Sequence, residues 1–416
     1  MLTGIFMVPD TPIPIKNMLF ENFYHSFERR IESELASKYW LWKLVIFSVF
    51  ISLFLAFPPY TLLAGHLSPN GMKLDAWVFI ENQSHDLFHP KDMEYDVRRE
   101  NMIFRWVLPV LSFLSGHNIV IIVLLQSILG VLFIYHTAQW IFSISADKVT
   151  TSLFTVAFAN IFVCTWTFAD IYGYGDGFAW YFLLAALLNR NPLFIFIALQ
   201  IAFFTDERAV IAGGYLLLYH MLITAYDRKD FSLVTLLRNV FTGKNAVIWL
   251  AWIVYFGIRF YVQKTYFPNH SYSTLGTPVL FADAHRHGLG SSIWTAFEGT
   301  WLLMGASILA LWLTKRFFLL IAVSLGFIIL LASGIYVHDI DRALAYGFPF
   351  IFMAMYVLFQ TASLRSIRLL LFFAMIICVG HPMIYYMGYN RILWMEPFPV
   401  KIFMLIDYWA EWNLFS

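Results

Sequence analysis

The polar residues of this chain interrupt long apolar runs, and the interruptions alternate in kind. Breaks rich in Lys and Arg, at Arg29-Arg30, Arg228-Lys229, Lys315-Arg316 and Arg365/Arg368, take turns with breaks rich in Asp, Glu, His and Tyr. The second kind comprises Asp75 to Glu100, Asp170 to Asp176, Asp206-Glu207-Arg208, Asp283 to His287 and His338 to Arg342. A chain patterned in this way is expected to cross a membrane repeatedly, with its basic breaks inside and its candidate chemistry on the other face.

Composition excludes a soluble fold. Hydrophobic residues make up 60% and charged residues 13% of the chain, whereas a globular domain is about a quarter charged and near half apolar. A net charge of +1 gives no sign of nucleic-acid binding. Cys164 and Cys378 both lie in apolar runs, so no disulfide framework is implied. No signal peptide is recognisable in the polar, amphipathic first 40 residues.

Runs long enough to span lie at about 41–63, 118–141, 150–168, 209–226, 245–262, 296–314, 317–336, 343–362 and 369–388, against roughly 20 residues per crossing. Two shorter runs, 178–188 and 192–204, flank Asn189-Arg190-Asn191-Pro192 and read as two short helices or a re-entrant pair. With the N-terminus inside, the inner breaks carry 14 Lys and Arg and the short outer loops carry 4. The expectation is therefore an all-α, polytopic bundle of about eleven crossings, N-in and C-out, forming one integral membrane domain over residues 1–416. Residues 1–40 are its cytoplasmic amphipathic N-terminus, 64–105 its first outer loop and 389–416 its outer C-terminal tail. Met102 to Ser115, interrupted by Arg105 and Pro109, reads as a helix lying at the interface. No internal repeat is visible.

Several constellations could carry chemistry. In the first outer loop, Asp75, Glu81, Asp86, Asp92, Glu94 and Asp96 are candidates for a general base, with Asp75 preferred and Asp86 second. His85 and His89 have the i, i+4 spacing of two ligands on one helix face, which would suit a divalent metal ion. Each of these residues reads equally as part of a solvated acidic loop. Asp206, Glu207 and Arg208 sit between two apolar runs with almost no loop, and charges at membrane depth usually face a cavity or a partner. His338, Asp339, Asp341 and Arg342 repeat that pattern, and a planar guanidinium there suits a phosphate. Tyr172 and Asp176 belong to a Gly- and Tyr-rich turn that could stack on a sugar, or serve only as a flexible interfacial turn. Arg259 and Glu298, each near the outer end of an apolar run, are spaced to pair across helices.

Tyr95 to Pro109, followed by Ser115-Gly116, resembles the Arg-rich segment after the first outer loop of bacterial GT-C-like membrane proteins linked to cell-surface glycopolymer formation. The likeness continues through the apolar stretch Asp176 to Arg190 and through Thr205 to Ile211, covering roughly residues 40–230. Two departures stand out. Asp206-Glu207-Arg208 replaces a plainer Arg-Glu order, and the first loop does not open with a paired Asp-X-Asp or Asp-Glu. The resemblance implies a sugar donor on a polyprenyl phosphate, an extracytoplasmic glycan, lipid or protein acceptor, and an acidic base in the first outer loop. Arg98, Arg99 and Arg208, within the resembling stretch, and Arg342, from its place between two apolar runs, are then candidates for contact with the donor. The alternatives are a transporter or flippase of lipid-linked saccharide, and a polymerase or ligase of surface polysaccharide.

Overall fold

In the computed structural model, residues 18–88, 102–266, 288–337, 339–381, 383–387 and 391–410 are described. They are almost wholly helical, with one short antiparallel hairpin, Ile384–Met387 paired with Arg391–Trp394. Five helices are long and apolar enough to cross a membrane: Ile119–Ser145, Arg208–Arg228, Lys244–Tyr266, Leu289–Leu313 and Phe317–Ile335. Counting each of two bent pairs as one span raises this to seven. The protein is a helical membrane protein. The other expected crossings fall on shorter helices, among them Asp176–Leu188, Pro192–Phe203 and Pro349–Thr361.

Several expected spans are broken, for local reasons. The run at 41–63 divides into Trp40–Leu55 and Tyr60–Leu67, turned by 76° around Phe57-Pro58-Pro59, because prolines cannot continue the hydrogen-bonding ladder and the residue before one avoids the helical region. The run at 150–168 divides into Lys148–Ala159 and Phe162–Ala169 at 56°. In Leu289–Leu313 the break is a 3-10 turn at Glu298–Thr300. The span expected at 369–388 instead ends at Gly380, and its last residues enter the hairpin. The segments at 178–188 and 192–204 are two short helices, Asp176–Leu188 and Pro192–Phe203. The second starts where Asn191 accepts the backbone N–H of Leu193, with Pro192 in the first turn.

Burial separates the central from the peripheral helices. Over its apolar window Arg208–Arg228 is 67% buried and Phe317–Ile335 only 22%. Ile321, Leu325 and Ile328 of the latter are exposed, as befits a lipid-facing flank. The core runs through Leu153, Phe158, Trp180, Leu183, Leu216, Phe352 and Met355.

Contacts between polar breaks respect the alternation of the sequence. Helix Met18–Glu34 brings Glu28 to Arg368, which also holds Asp147 through two hydrogen bonds of 3.0 and 2.6 Å. Arg365 meets Glu21, and the Arg316 guanidinium lies 4.3 Å from the rings of Tyr226 and Phe231. At the other ends of the connecting helices, the acidic and tyrosine-rich breaks meet one another.

Candidate functional site

The second assembly forms where four chain segments end together. Asp206 and Glu207 end the four-residue link, 204–207, between Pro192–Phe203 and Arg208–Arg228. The Asp206 Oδ1 accepts the backbone N–H of Arg208 at 2.9 Å and so starts the latter helix. Segment 104–107 lies alongside: Val107 N–H donates to Phe204 O at 3.2 Å, and the Trp106 ring stacks on Phe204 at 4.7 Å. That register puts Arg105 against the link. Its Nε and Nη2 donate to the two Glu207 oxygens at 2.9 and 2.7 Å, and its Nη1 lies 3.1 Å from Asp206 Oδ2.

The third segment is the turn 170–175. Gly173 and Gly175 have φ of +89° and +76°, a region that favours glycine. The turn closes on Asp170, whose carboxylate accepts the backbone N–H groups of Tyr174 at 3.3 Å and Gly175 at 2.8 Å. Helix Asp176–Leu188 begins directly after it. From the fourth segment, helix Ile340–Ala345, Arg342 Nε donates to Asp176 Oδ2 at 2.6 Å and Nη1 to Asp339 at 2.7 Å. Tyr346 and Trp166 donate to Asp176 at 2.9 and 3.0 Å. The guanidinium of Arg342 sits 3.9 Å above the Tyr174 ring, which stacks in turn on Tyr172.

Almost all of this is shielded from solvent: Asp176 and Asp206 are 0% exposed, Asp170 1% and Arg342 3%. Burial pushes the Asp170 carboxyl up, reinforced by the neighbouring Asp176 charge and partly offset by Arg342, to about 7. Asp206 is likewise raised, chiefly by burial and against the pull of Arg105 and Arg208. Glu207 goes the other way. Burial would raise it, but the Arg105 charge and hydrogen bonds and the Arg208 charge bring it to about 2.

Three guanidinium groups here keep a nitrogen to spare. Arg208 Nη1, Arg342 Nη2 and Arg259 Nη2 are buried and have no hydrogen-bond partner among the described residues. Arg259 flanks the cluster: it donates to Tyr255 at 3.1 Å, and Tyr255 feels the charges of Asp206 and Glu207. The expected pairing of Arg259 with Glu298 does not occur. Arg259 covers the Phe104 ring at 4.3 Å, while Glu298 lies 3.6 Å from His381 on another helix.

Of the residues singled out by sequence, Tyr172, Asp176, Asp206, Glu207, Arg208, Asp339 and Arg342 come together. Asp341 lies beside them but faces Thr295, whose hydroxyl it accepts at 2.6 Å. Asp75 starts helix Asp75–His85 on its exposed side and Asp86 follows it, also exposed. Neither contacts the cluster, although Trp77 of the same helix donates to Ile171 O at 2.7 Å, across the turn. The His85 ring lies tilted against that of His117, with centroids 4.6 Å apart. Arg98, Arg99, His89 and His338 lie outside the described residues, and so do Asp283 to His287. Among the described residues no three His, Cys, Asp or Glu side chains form a metal-holding group.

Sequence reasoning missed Arg105, Trp166 and Tyr346 as members of this site, and it marked Asp170 and Tyr174 only as parts of the Gly- and Tyr-rich turn. Arg105 was visible as a charge interrupting an apolar stretch, but its partner is 102 positions away. Comparison with known proteins gives no matching family model, no similar curated protein and no similar solved structure.

Proposed function

We propose that this protein is a GT-C-like glycosyltransferase of a bacterial inner membrane, moving a sugar from a polyprenyl-phosphate donor to an extracytoplasmic glycan, lipid or protein acceptor. The observation that carries this reading is a cluster of charges at one end of a membrane bundle in which Arg208 and Arg342, with Arg259 at its flank, each keep one buried nitrogen without a partner among the described residues. A buried donor left unmade costs about 1–3 kcal/mol, more on a charged group. A phosphate supplies the missing acceptors through charge-assisted hydrogen bonds. Arg208 and Arg342 would hold the phosphate, so that negative charge growing on the leaving oxygen meets fixed cations in a water-poor setting. A prenyl tail would remain in lipid beside the exposed apolar helices. The resemblance of residues 40–230 to GT-C-like proteins points the same way.

Transport of a lipid-linked saccharide is the second reading, favoured by the broken helices at Pro58-Pro59, Asn160 and Glu298. The two readings part in one experiment. The protein is reconstituted in liposomes with radiolabelled polyprenyl-phosphate glucose, mannose or arabinose, and covalent transfer to a membrane-extract acceptor is measured beside passage of label across the bilayer. Transfer is expected, with Arg208→Ala weakening donor binding by about 10- to 100-fold, the equivalent of roughly 1.5–3 kcal/mol for a charge-assisted hydrogen bond. Passage of saccharide with no covalent product would hand the case to transport.

A further inference from the structure

Four carboxylates border the spare guanidinium nitrogens, and each is matched by a cation. Arg342 holds Asp176 and Asp339, Arg105 holds Glu207, and Arg105 and Arg208 flank Asp206. Asp170 differs. It is as buried as Asp176 and Asp206, yet its hydrogen bonds come from two backbone amides and no ion pair among the described residues reaches it. The groups facing it are the Asp176 carboxylate, the Arg342 guanidinium above the Tyr174 ring, and the hydroxyls of Tyr172 and Tyr174 on its own turn. Helix Ile119–Ser145 contributes Gln126, a neutral side chain that donates to the Asp170 and Thr167 carbonyls at 3.0 Å. Helix Asp75–His85 contributes the Trp77 indole over the turn.

We propose that Asp170 is the general base of the transfer reaction, receiving the acceptor's hydroxyl proton beside the phosphate held by Arg208 and Arg342. The assignment rests on the glycosyltransferase reading and names the group that serves it. In the step, the acceptor oxygen bonds to the anomeric carbon. The bond from that carbon to the phosphate oxygen breaks, and its electron pair stays on the departing polyprenyl phosphate. The hydroxyl proton moves to Asp170. A carboxylate locked to a guanidinium is a weak base, because its partner stabilises the charged form. Asp170 alone among the five escapes that, and a carboxyl poised near 7 is matched to proton transfer at neutral pH. The backbone amides fix its orientation while leaving lone pairs to accept a proton. Tyr172 and Tyr174 are the partly exposed side chains of the turn, so the acceptor would approach across them.

The test uses the full-length protein in liposomes, with polyprenyl-phosphate sugar as donor. Wild-type kcat/KM should rise with pH through an ionisation near 7. Asp170→Asn should lower kcat by about 10²- to 10⁴-fold, remove that ionisation, and leave KM and the binding of unlabelled polyprenyl phosphate unchanged. Asp170→Glu should recover part of the rate and its pH dependence. Melting curves of both variants guard against misfolding. Full transfer by Asp170→Asn with the pH dependence intact overturns the assignment alone. It also falls if Asp75→Asn, and not Asp170→Asn, abolishes the ionisation. A wild-type protein that transfers nothing overturns the glycosyltransferase reading and this assignment with it.

Discussion

The two polar ends of this bundle use the same residue types to different effect. At the Arg368 end, Asp147 accepts two of the guanidinium's hydrogen bonds, Glu28 a third, and Asp147 also caps helix Lys148–Ala159 through Thr150 N–H at 2.8 Å. The Arg368 and Asp147 side chains are 19% and 14% exposed, so water shares in their solvation. At the Arg342 end the central pair is dry, with 4% and 0% exposure for Arg342 and Asp176, and donors are left over. The first arrangement is complete as a fastening between helices. The second places its charge where desolvation is costly and still keeps hydrogen-bonding capacity unused, which the proposed anion site would put to use.

Removing one partner at each end should break or sharpen that contrast. Asp176→Ala leaves the buried Arg342 with only the part-exposed Asp339 as counter-charge and should cost about 3–5 kcal/mol, seen as loss of folded protein or a large drop in melting temperature in detergent. Asp147→Ala removes a cap and a partly solvated pair, and about 1–2 kcal/mol is expected from the cap. A larger loss at Asp147 than at Asp176 would reverse the reading of the two ends.

Next in size is the response to pH. Asp170, at about 7 in the fold against 3.8 ordinarily, holds its proton after the unfolded chain has released it. Stability should therefore fall as pH rises from about 4 to 7, by up to roughly 1.4 kcal/mol per unit, and Asp170→Asn should flatten that slope. Glu207 acts oppositely. Its fall to about 2 gives stability that is present above 4.5 and lost as pH drops towards 2. Melting temperatures from pH 3 to 8 for wild type, Asp170→Asn and Glu207→Gln separate the two windows. The smallest effect belongs to Arg365→Ala. Its side chain is 74% exposed in its pair with Glu21, and such pairs contribute about 0–1 kcal/mol. A clear destabilisation there would mean the Arg368 end is more than a solvated fastening.

Much of this was legible in the sequence. Apolar runs marked the helices, and Arg208, Arg342 and Asp176 were marked as charges squeezed between them. The breaks were less so. Pro58-Pro59 is a visible stop, but nothing local announces the turn at Glu298, whose φ of +45° is held by packing of Gly299 against the carbonyl of Ala374. The hairpin at Ile384–Trp394 replaced an expected helix end because its apolar residues carry no period that separates strand from span. Asp170 was invisible as a special carboxylate. What distinguishes it is the absence of a cation that its neighbours possess, and that depends on segments 30 to 170 positions away.

The lengths of the short helices bear on where the membrane surface lies. Asp176–Leu188 has 13 residues, about 20 Å at 1.5 Å each, against a hydrocarbon thickness near 30 Å. Its first turn meets helix Ile119–Ser145 not at that helix's end but at Gln126, seven residues in, or about 10 Å. The charged cluster is therefore recessed within the bundle, and the surrounding bilayer meets a hydrophobic belt of uneven height. Under the membrane orientation proposed above, such a recess would be reached through thinned lipid or through a dip filled by headgroups and water. Activity at such a recess should depend on acyl-chain length, since a thicker bilayer deepens the descent that any headgroup must make to reach the arginines.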